Sequence, residues 1–74
     1  YFNIPFNEPE SGGYSARVVT NGGNLNIRQR PDVYSPVVGK APNGAVITVI
    51  NGTGDWLLIR YKNMTGYVYK YYVQ

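Results

Sequence analysis

Tyrosine and tryptophan are the residues of this sequence best suited to contacting another molecule. The 74 residues include eight tyrosines and one tryptophan, and four of the tyrosines lie between Tyr67 and Tyr72. A tyrosine offers a large, stiff contact surface with a hydroxyl group, and the indole of Trp56 offers a flat apolar face with one hydrogen-bond donor. Strand formation alone does not require so many tyrosines, so their density predicts a binding surface rather than a reactive centre.

The titratable residues exclude the common kinds of catalytic site. The sequence contains no histidine and no cysteine, so neither a Ser-His-Asp nor a Cys-His arrangement can form, and no thiolate or imidazole is available to bind a metal. A glycosidase needs two carboxyl groups about 5 to 9.5 Å apart. After residue 15 only Asp32 and Asp55 remain, both in turn contexts where aspartate commonly bonds its own backbone. We therefore predict no enzyme activity, no metal site and no cofactor.

Positive charge is concentrated in the second part of the chain. The formal net charge is +3, but Glu8 and Glu10 lie in the first fourteen residues, which contain no lysine or arginine. From Ser15 onward seven cationic residues stand against two aspartates, a net charge of +5. Such a surface attracts polyanions such as a wall polymer, nucleic acid or acidic lipid headgroups, and it equally serves solubility. The charge alone leaves these readings open.

Short runs of β-branched and aromatic residues, separated by turn signals, predict strands from residue 16 onward. No segment shows the 3.6-residue period of an amphipathic helix. The expected strands lie at 16–20, 24–28, 45–50, 56–61 and 65–69, with a short bridge or turn at 36–39, one helical turn at 70–72 and a last short strand at Val73. These elements predict an all-β fold, a small five- to six-stranded barrel with one short 3-10 turn near the C-terminus.

Alternation along these strands separates a core from an outer face. The residues expected in the core are Val18, Leu25, Ile27, Val38, Ile47, Val49, Leu57, Ile59, Val68 and Val73. Because Val68 is expected to point inward, its neighbours Tyr67 and Tyr69 share the outer face. With Tyr34, Tyr61 and Tyr72 they can line a shallow aromatic groove.

The first fifteen residues differ from the rest in composition. They contain two prolines, two adjacent glycines and no alternation, which is typical of a linker or an N-terminal arm. Residues 16–74 are predicted to form one domain. No stretch approaches the ~20 apolar residues of a membrane span, so none is predicted.

Several segments, in order, resemble the bacterial Src-homology-3 (SH3) family. The matching segments are LNIR at 25–28 with RP at 30–31, PVVG at 36–39, NGAVITV at 43–49, GDW at 54–56 with Ile59, and TGYV at 65–68. Each segment is short, but the series in register covers residues 16–73. The resemblance implies an SH3-like barrel, in agreement with the strand pattern.

The resemblance also implies a function, although a fold by itself does not fix one. Modules of this family are appended to wall hydrolases, amidases, endopeptidases and other exported bacterial proteins, and are thought to bind peptidoglycan or its peptide cross-bridges. The resemblance therefore implies that this chain is a non-catalytic wall-binding module, located outside the cell or in the envelope. Eukaryotic relatives place a ligand-facing tryptophan where Trp56 opens its strand. The expected ligand-binding residues are Trp56, Tyr67, Tyr69, Tyr34, Tyr61, Tyr72 and Arg28.

Arg28 has two readings, and two other functions stay open. Its guanidinium group can hold a carboxylate of a wall peptide, or it can clamp the long loop that follows; the structural role is favoured. The alternative function is a protein-interaction module that docks on a neighbouring catalytic domain, such as an adjacent hydrolase of the same chain. Binding of single-stranded nucleic acid is disfavoured, because the basic residues are scattered along the chain.

Overall fold

The computed structural model describes residues 13–74. Within them, six antiparallel strands form one sheet and precede a 3-10 helix at Lys70–Tyr72. The strands are β1 (Tyr14–Arg17), β2 (Leu25–Arg28), β3 (Val37–Ala41), β4 (Val46–Thr53), β5 (Trp56–Tyr61) and β6 (Met64–Tyr69). The predicted all-β fold with one short 3-10 turn near the C-terminus is confirmed. The expected linker or arm lies, up to residue 12, outside the described residues.

The sheet has the strand order β1-β4-β5-β6-β2-β3, and the C-terminus returns to its first strand. Val73 forms a bridge with Val18, and Arg17 and Gln74 exchange two backbone hydrogen bonds of 2.9 Å. These bonds occupy part of the free edge of β1, and pairing of free edges is how a barrel closes its sheet. They also fix the position of the residues that follow the 3-10 helix. No helix in residues 13–74 has the length and apolar character needed to cross a membrane.

Two hairpins determine where the aromatic residues lie. In the β4–β5 hairpin Thr53 is opposite Trp56, and in the β5–β6 hairpin Trp56 is opposite Tyr69. Alternate residues of a strand point to the same face, and Val68 is fully buried. Tyr67 and Tyr69 therefore share the outer face of β6, as the alternation of the sequence predicts.

One cluster of buried side chains forms the core. The predicted core residues found buried are Val18, Leu25, Ile27, Ile47, Val49, Ile59 and Val68, and Leu57 and Val73 pack against them partly buried. Burying such a side chain contributes about 1.5 to 3 kcal/mol. Ala16 and Ala41 also belong to the cluster and were not predicted, because alanine is too small to give a clear hydrophobic pattern.

β3 departs from the prediction of a short bridge or turn that packs Val38 inward. It is a strand of five residues, and Val38 is 46% exposed, so the predicted burial of Val38 is wrong. In the register of β2 and β3, Gly39 lies opposite the buried Ile27. The next pair is Arg28 and Val37, so Val38 is the extra residue of a register shift and has no opposite residue in β2. The side chain of Met64 fills the space beside Gly39 and supplies the apolar volume there.

Candidate functional site

A groove of about 690 Å³ lies where β2, β5 and β6 meet the loops at 19–24 and 29–36. Its volume is within the range of about 300 to 1,000 Å³ that is usual for ligand sites. The lining residues come from three strands, both loops and the 3-10 helix: Thr20, Asn21, Gly23, Asn24, Leu25, Asn26, Arg28, Pro31, Asp32, Val33, Trp56, Tyr69 and Tyr72. The lining thus combines aromatic and polar groups in one concave surface.

Three rings form one part of the lining, which we call the aromatic wall: Trp56, Tyr69 and Tyr72. The ring centroids of Trp56 and Tyr69 are 5.4 Å apart with an interplanar angle of 60°, and those of Tyr69 and Tyr72 are 6.1 Å apart at 48°. Tilted pairs at about 4.5 to 7 Å are a favoured aromatic geometry. Tyr69 and Tyr72 are 36% and 44% exposed and Trp56 is half-buried. The rings thus support one another and still offer surface to a ligand.

Hydroxyl and amide side chains form a second part of the lining: Thr20, Asn21, Asn24 and Asn26. Their loop is held through Thr20, whose Oγ1 donates to the Gly23 carbonyl at 2.6 Å and accepts from the Gly22 N–H at 3.1 Å. The Thr20 N–H donates to Oδ1 of Asn43 at 2.9 Å. An asparagine amide can donate and accept at once, so it can pair with both groups of a peptide bond.

Arg28 and Ser35 hold the second loop against β2. Nη1 of Arg28 donates to the Ser35 carbonyl at 2.9 Å, and Oγ of Ser35 accepts from the Arg30 N–H at 2.7 Å. Ser35 is only 2% exposed, so its hydroxyl is a buried polar group with a partner. Arg28 therefore clamps the loop, as the structural reading of this residue predicts, and it also lines the groove.

Replacing Ser35 with alanine is expected to lower the free energy of unfolding by about 1 kcal/mol, because the Arg30 N–H loses its acceptor in a partly buried place. Chemical denaturation of the purified domain measures this change. Ser15→Ala, an exposed serine of β1, is the matched control and should stay close to the wild type. Equal stability of the two variants would contradict the assigned role of Ser35.

The structure brings together four of the residues expected from the sequence to bind a ligand: Trp56, Tyr69, Tyr72 and Arg28. Tyr67 lies beside them, since it is opposite Leu58 on one side and Arg28 on the other, but it is not part of the lining. These residues come from β2, β5, β6 and the 3-10 helix, so the sheet order rather than closeness in sequence unites them.

Tyr34 and Tyr61 are not part of the groove lining. Tyr34 is 92% exposed on the loop at 29–36. Tyr61 is half-buried against the core, at the far end of β5 and thus about 17 Å along the strand from Trp56. A lysine lies over its ring, with Lys62 Nζ 5.4 Å from the centroid.

The sequence pattern does not indicate that the loop residues of the lining belong to a site. They are Thr20, Asn21, Gly23, Asn24, Pro31, Asp32 and Val33. Loops have no period from which a shared face can be inferred, so their residues indicate only turns. One feature of the sequence could have indicated them. Both loops flank β2, so they are expected to lie beside any groove that Arg28 lines.

The chemistry of the groove is that of binding. Its groups can stack on flat or methylene surfaces, form amide hydrogen bonds and pair with one charged group of either sign, at Arg28 or Asp32. Within residues 13–74, no three histidine, cysteine, aspartate or glutamate side chains are grouped so that they could hold a metal ion.

Comparison with known proteins assigns the chain to a family. The family model of the bacterial SH3 domain matches residues 23–74. The chain is also 35% identical over 63 residues to a protein of Bacillus subtilis (strain 168) that is named as an N-acetylmuramoyl-L-alanine amidase, YrvJ. The match covers 85% of this chain and 12% of that protein, so the chain corresponds to a small part of it. With the family model matching most of its length, the chain belongs to the bacterial SH3 domain family.

Proposed function

We propose that this chain is a non-catalytic module that binds the peptide portion of peptidoglycan and so anchors an exported protein or wall hydrolase. The similar Bacillus protein is named for hydrolysis of the link between N-acetylmuramic acid and L-alanine, the junction of glycan and peptide. Because the match covers only 12% of that protein, we assign the hydrolytic step to a neighbouring domain and the binding step to this one. The proposal places the module outside the cell or in the envelope.

The observation that carries the proposal is an aromatic wall in the same groove as amide side chains. A wall peptide offers apolar Cα–H, methyl and methylene surfaces, and it also offers peptide groups. The rings of Trp56 and Tyr69 provide flat contact for the first, and the asparagines provide donors and acceptors for the second. One extended peptide can therefore make both kinds of contact in the same groove.

Arg28 adds a charged group to this groove. Its Nη1 donates to the Ser35 carbonyl, but a guanidinium group has five N–H donors in a fixed fork. The other N–H groups are therefore available in principle to a carboxylate or carbonyl of the ligand. The hydrogen bond to the loop would hold the Arg28 side chain in place for that contact. The structural and the ligand-binding interpretations of Arg28 are therefore compatible.

The affinity of one site is expected to be weak. A shallow groove with a few contacts suggests a Kd of about 1 μM to 1 mM, or about 4 to 8 kcal/mol of binding free energy. Weak single contacts suffice in a wall, because the ligand is repeated across a lattice and a tethered enzyme gains by avidity.

Co-sedimentation with purified wall sacculi tests the proposal. The domain is expected to pellet with sacculi, and soluble peptide fragments released from the wall should compete, whereas peptide-free glycan strands should not. The reason is that the groove pairs amide and guanidinium groups with peptide groups. Competition by the glycan alone would contradict the peptide assignment. A failure to pellet at low salt would overturn wall binding and favour docking on a neighbouring domain.

A further inference from the structure

Asp55 joins two elements that carry the aromatic wall. It lies in the turn between β4 and β5, directly before Trp56. Its carbonyl accepts the Lys70 N–H at 2.9 Å, and Oδ1 of its carboxylate accepts the Tyr71 hydroxyl at 3.1 Å. Nζ of Lys70 is 4.0 Å from the same oxygen. One residue thus fastens the β4–β5 turn to the start of the 3-10 helix.

Tyr71 contacts the aromatic wall without being part of the groove lining. Its ring centroid is 5.0 Å from that of Tyr69 with an interplanar angle of 59°. Tyr69 in turn contacts Trp56 and Tyr72. Tyr69 therefore has ring neighbours in the groove and one ring neighbour outside it, and that outer ring is the one bonded to Asp55.

The 3-10 helix that presents Tyr72 has little support of its own. It spans three residues, contains no buried residue, and its N-cap residue Tyr69 makes no side-chain capping bond. Helices of this type are short because their hydrogen-bond geometry is poor. Its position therefore depends on contacts with other elements: the Asp55 contacts at its start and the backbone bond from the Val19 N–H to the Tyr72 carbonyl, 2.8 Å, at its end.

We infer that Asp55 and Tyr71 are positioning residues for the binding groove: their hydrogen bond, made outside the groove, holds Trp56, Tyr69 and Tyr72 in the arrangement that the ligand meets. This inference rests on the proposed function. A ligand that finds the rings already in place does not lose affinity to the cost of ordering them. Removing the bond should therefore weaken binding although neither residue lines the groove.

The Tyr71 hydroxyl has a property that reports on this bond. The hydrogen bond to Asp55, and then the negative charge of that carboxylate, raise the pKa of Tyr71 above 10.0, its ordinary value. A phenol with a raised pKa in the folded state favours folding below its unfolded pKa, and that contribution is lost as the pH rises through the folded pKa. In an alkaline titration followed by tyrosinate absorbance, Asp55→Ala should move part of the absorbance change of the wild type to lower pH, because the pKa of Tyr71 loses its cause of elevation.

Tyr71→Phe is the central test, because it deletes only the hydroxyl. Its affinity for purified sacculi is expected to fall about three- to tenfold, as the loss of one charge-assisted hydrogen bond implies. Tyr14→Phe removes the hydroxyl of an exposed tyrosine in β1 and should stay within about twofold of the wild type. The double variant Tyr71→Phe/Asp55→Ala should bind about as well as Asp55→Ala alone, since both remove one interaction.

Trp56 provides a readout that does not need the ligand. It is the only tryptophan of the sequence, so intrinsic tryptophan fluorescence reports on the aromatic wall alone. Tyr71→Phe should increase collisional quenching of Trp56 by acrylamide, with unfolding curves showing that the domain stays folded, whereas Tyr14→Phe should leave quenching unchanged. Unchanged affinity or unchanged quenching in folded Tyr71→Phe would overturn the positioning role.

Trp56→Ala separates failure of this inference from failure of the proposed function. If Trp56→Ala abolishes co-sedimentation and Tyr71→Phe does not change it, the groove binds the wall and the Asp55–Tyr71 bond does not position it. If Trp56→Ala also binds as the wild type does, the groove is not the wall-binding site, and both the assignment of binding to the groove and the positioning role are wrong.

Discussion

Trp56→Ala is expected to weaken co-sedimentation with sacculi about 30-fold or more, which corresponds to ~2 kcal/mol, while the domain stays folded. Large aromatic residues at the centre of an interface commonly contribute that much, because they bury a wide flat surface and exclude water from neighbouring hydrogen bonds. Trp56 meets this description, since it lines the groove, is only half-buried in the unbound domain and contacts Tyr69 at 5.4 Å. The measurement is a binding isotherm from co-sedimentation at increasing amounts of sacculi.

Tyr14→Ala is the control for Trp56→Ala. Tyr14 is 60% exposed in β1 and does not line the groove, so its removal takes away an aromatic ring without touching the proposed site. If both variants bind as the wild type does, wall binding does not use the groove. If both lose binding equally, the loss reflects general aromatic adhesion, and the groove has no special role.

The aromatic wall could be predicted only in part from the sequence. Alternation in β6 predicts the outward direction of Tyr69, and the turn before Trp56 predicts the start of β5. Their pairing follows from the hairpin register, in which they lie opposite each other. Tyr72 joins them through the short 3-10 helix, which the sequence predicts as one turn. The sequence does not reveal the contacts that hold this helix at its two ends, with Asp55 at its start and with Val18 and Val19 at its end.

Tyr34 and Tyr61 show that the number of tyrosines does not by itself identify the residues that line the groove. A count of tyrosines treats all of them as equal, yet the far end of β5 packs Tyr61 against the core, and the loop leaves Tyr34 92% exposed. Position along a strand and distance between its ends decide which rings can meet. The distance between two rings on a strand depends on where the strand begins and ends, which the sequence gives only approximately. The loop residues beside the groove have no hydrophobic period from which their position could be predicted.

The exposure of Val38 has the same origin. In isolation, two adjacent valines predict one that points inward, and the sequence does not reveal that β2 carries a register shift between Ile27 and Arg28. Gly39 lies opposite Ile27 in the regular register, and the shift then pairs Arg28 with Val37 and leaves Val38 without an opposite residue. A methionine from β6 fills the volume beside Gly39. A one-residue change of register reverses which side chains of a strand are buried, so such an error is expected wherever an irregularity is hidden.

Gly66→Ala is expected to lower the free energy of unfolding by about 3 kcal/mol or more, the upper part of the range for overpacked cores. Gly66 is buried in β6 where β2 passes over it. A β-carbon there would lie 2.6 Å from the carbonyl oxygen of Arg28 and 2.7 Å from Cγ2 of Ile27, both closer than real contacts allow. One obstacle is backbone and the other is a fully buried side chain, so neither can move aside without separating the two strands.

The same strain should reach the groove, because the carbonyl that must move belongs to Arg28, whose guanidinium clamps the loop at 29–36. We therefore expect Gly66→Ala to lose both stability and wall binding, whereas Trp56→Ala loses binding alone. Gly23→Ala is the matched control for stability alone, since Gly23 lines the groove. A β-carbon at that position meets no atom within 4 Å, and its backbone is outside the left-handed region. Urea unfolding of the wild type, Gly66→Ala and Gly23→Ala measures the differences in the free energy of unfolding. Equal stability of Gly66→Ala and Gly23→Ala would mean that β2 and β6 are farther apart than described, and the groove built on their contact would lose its support.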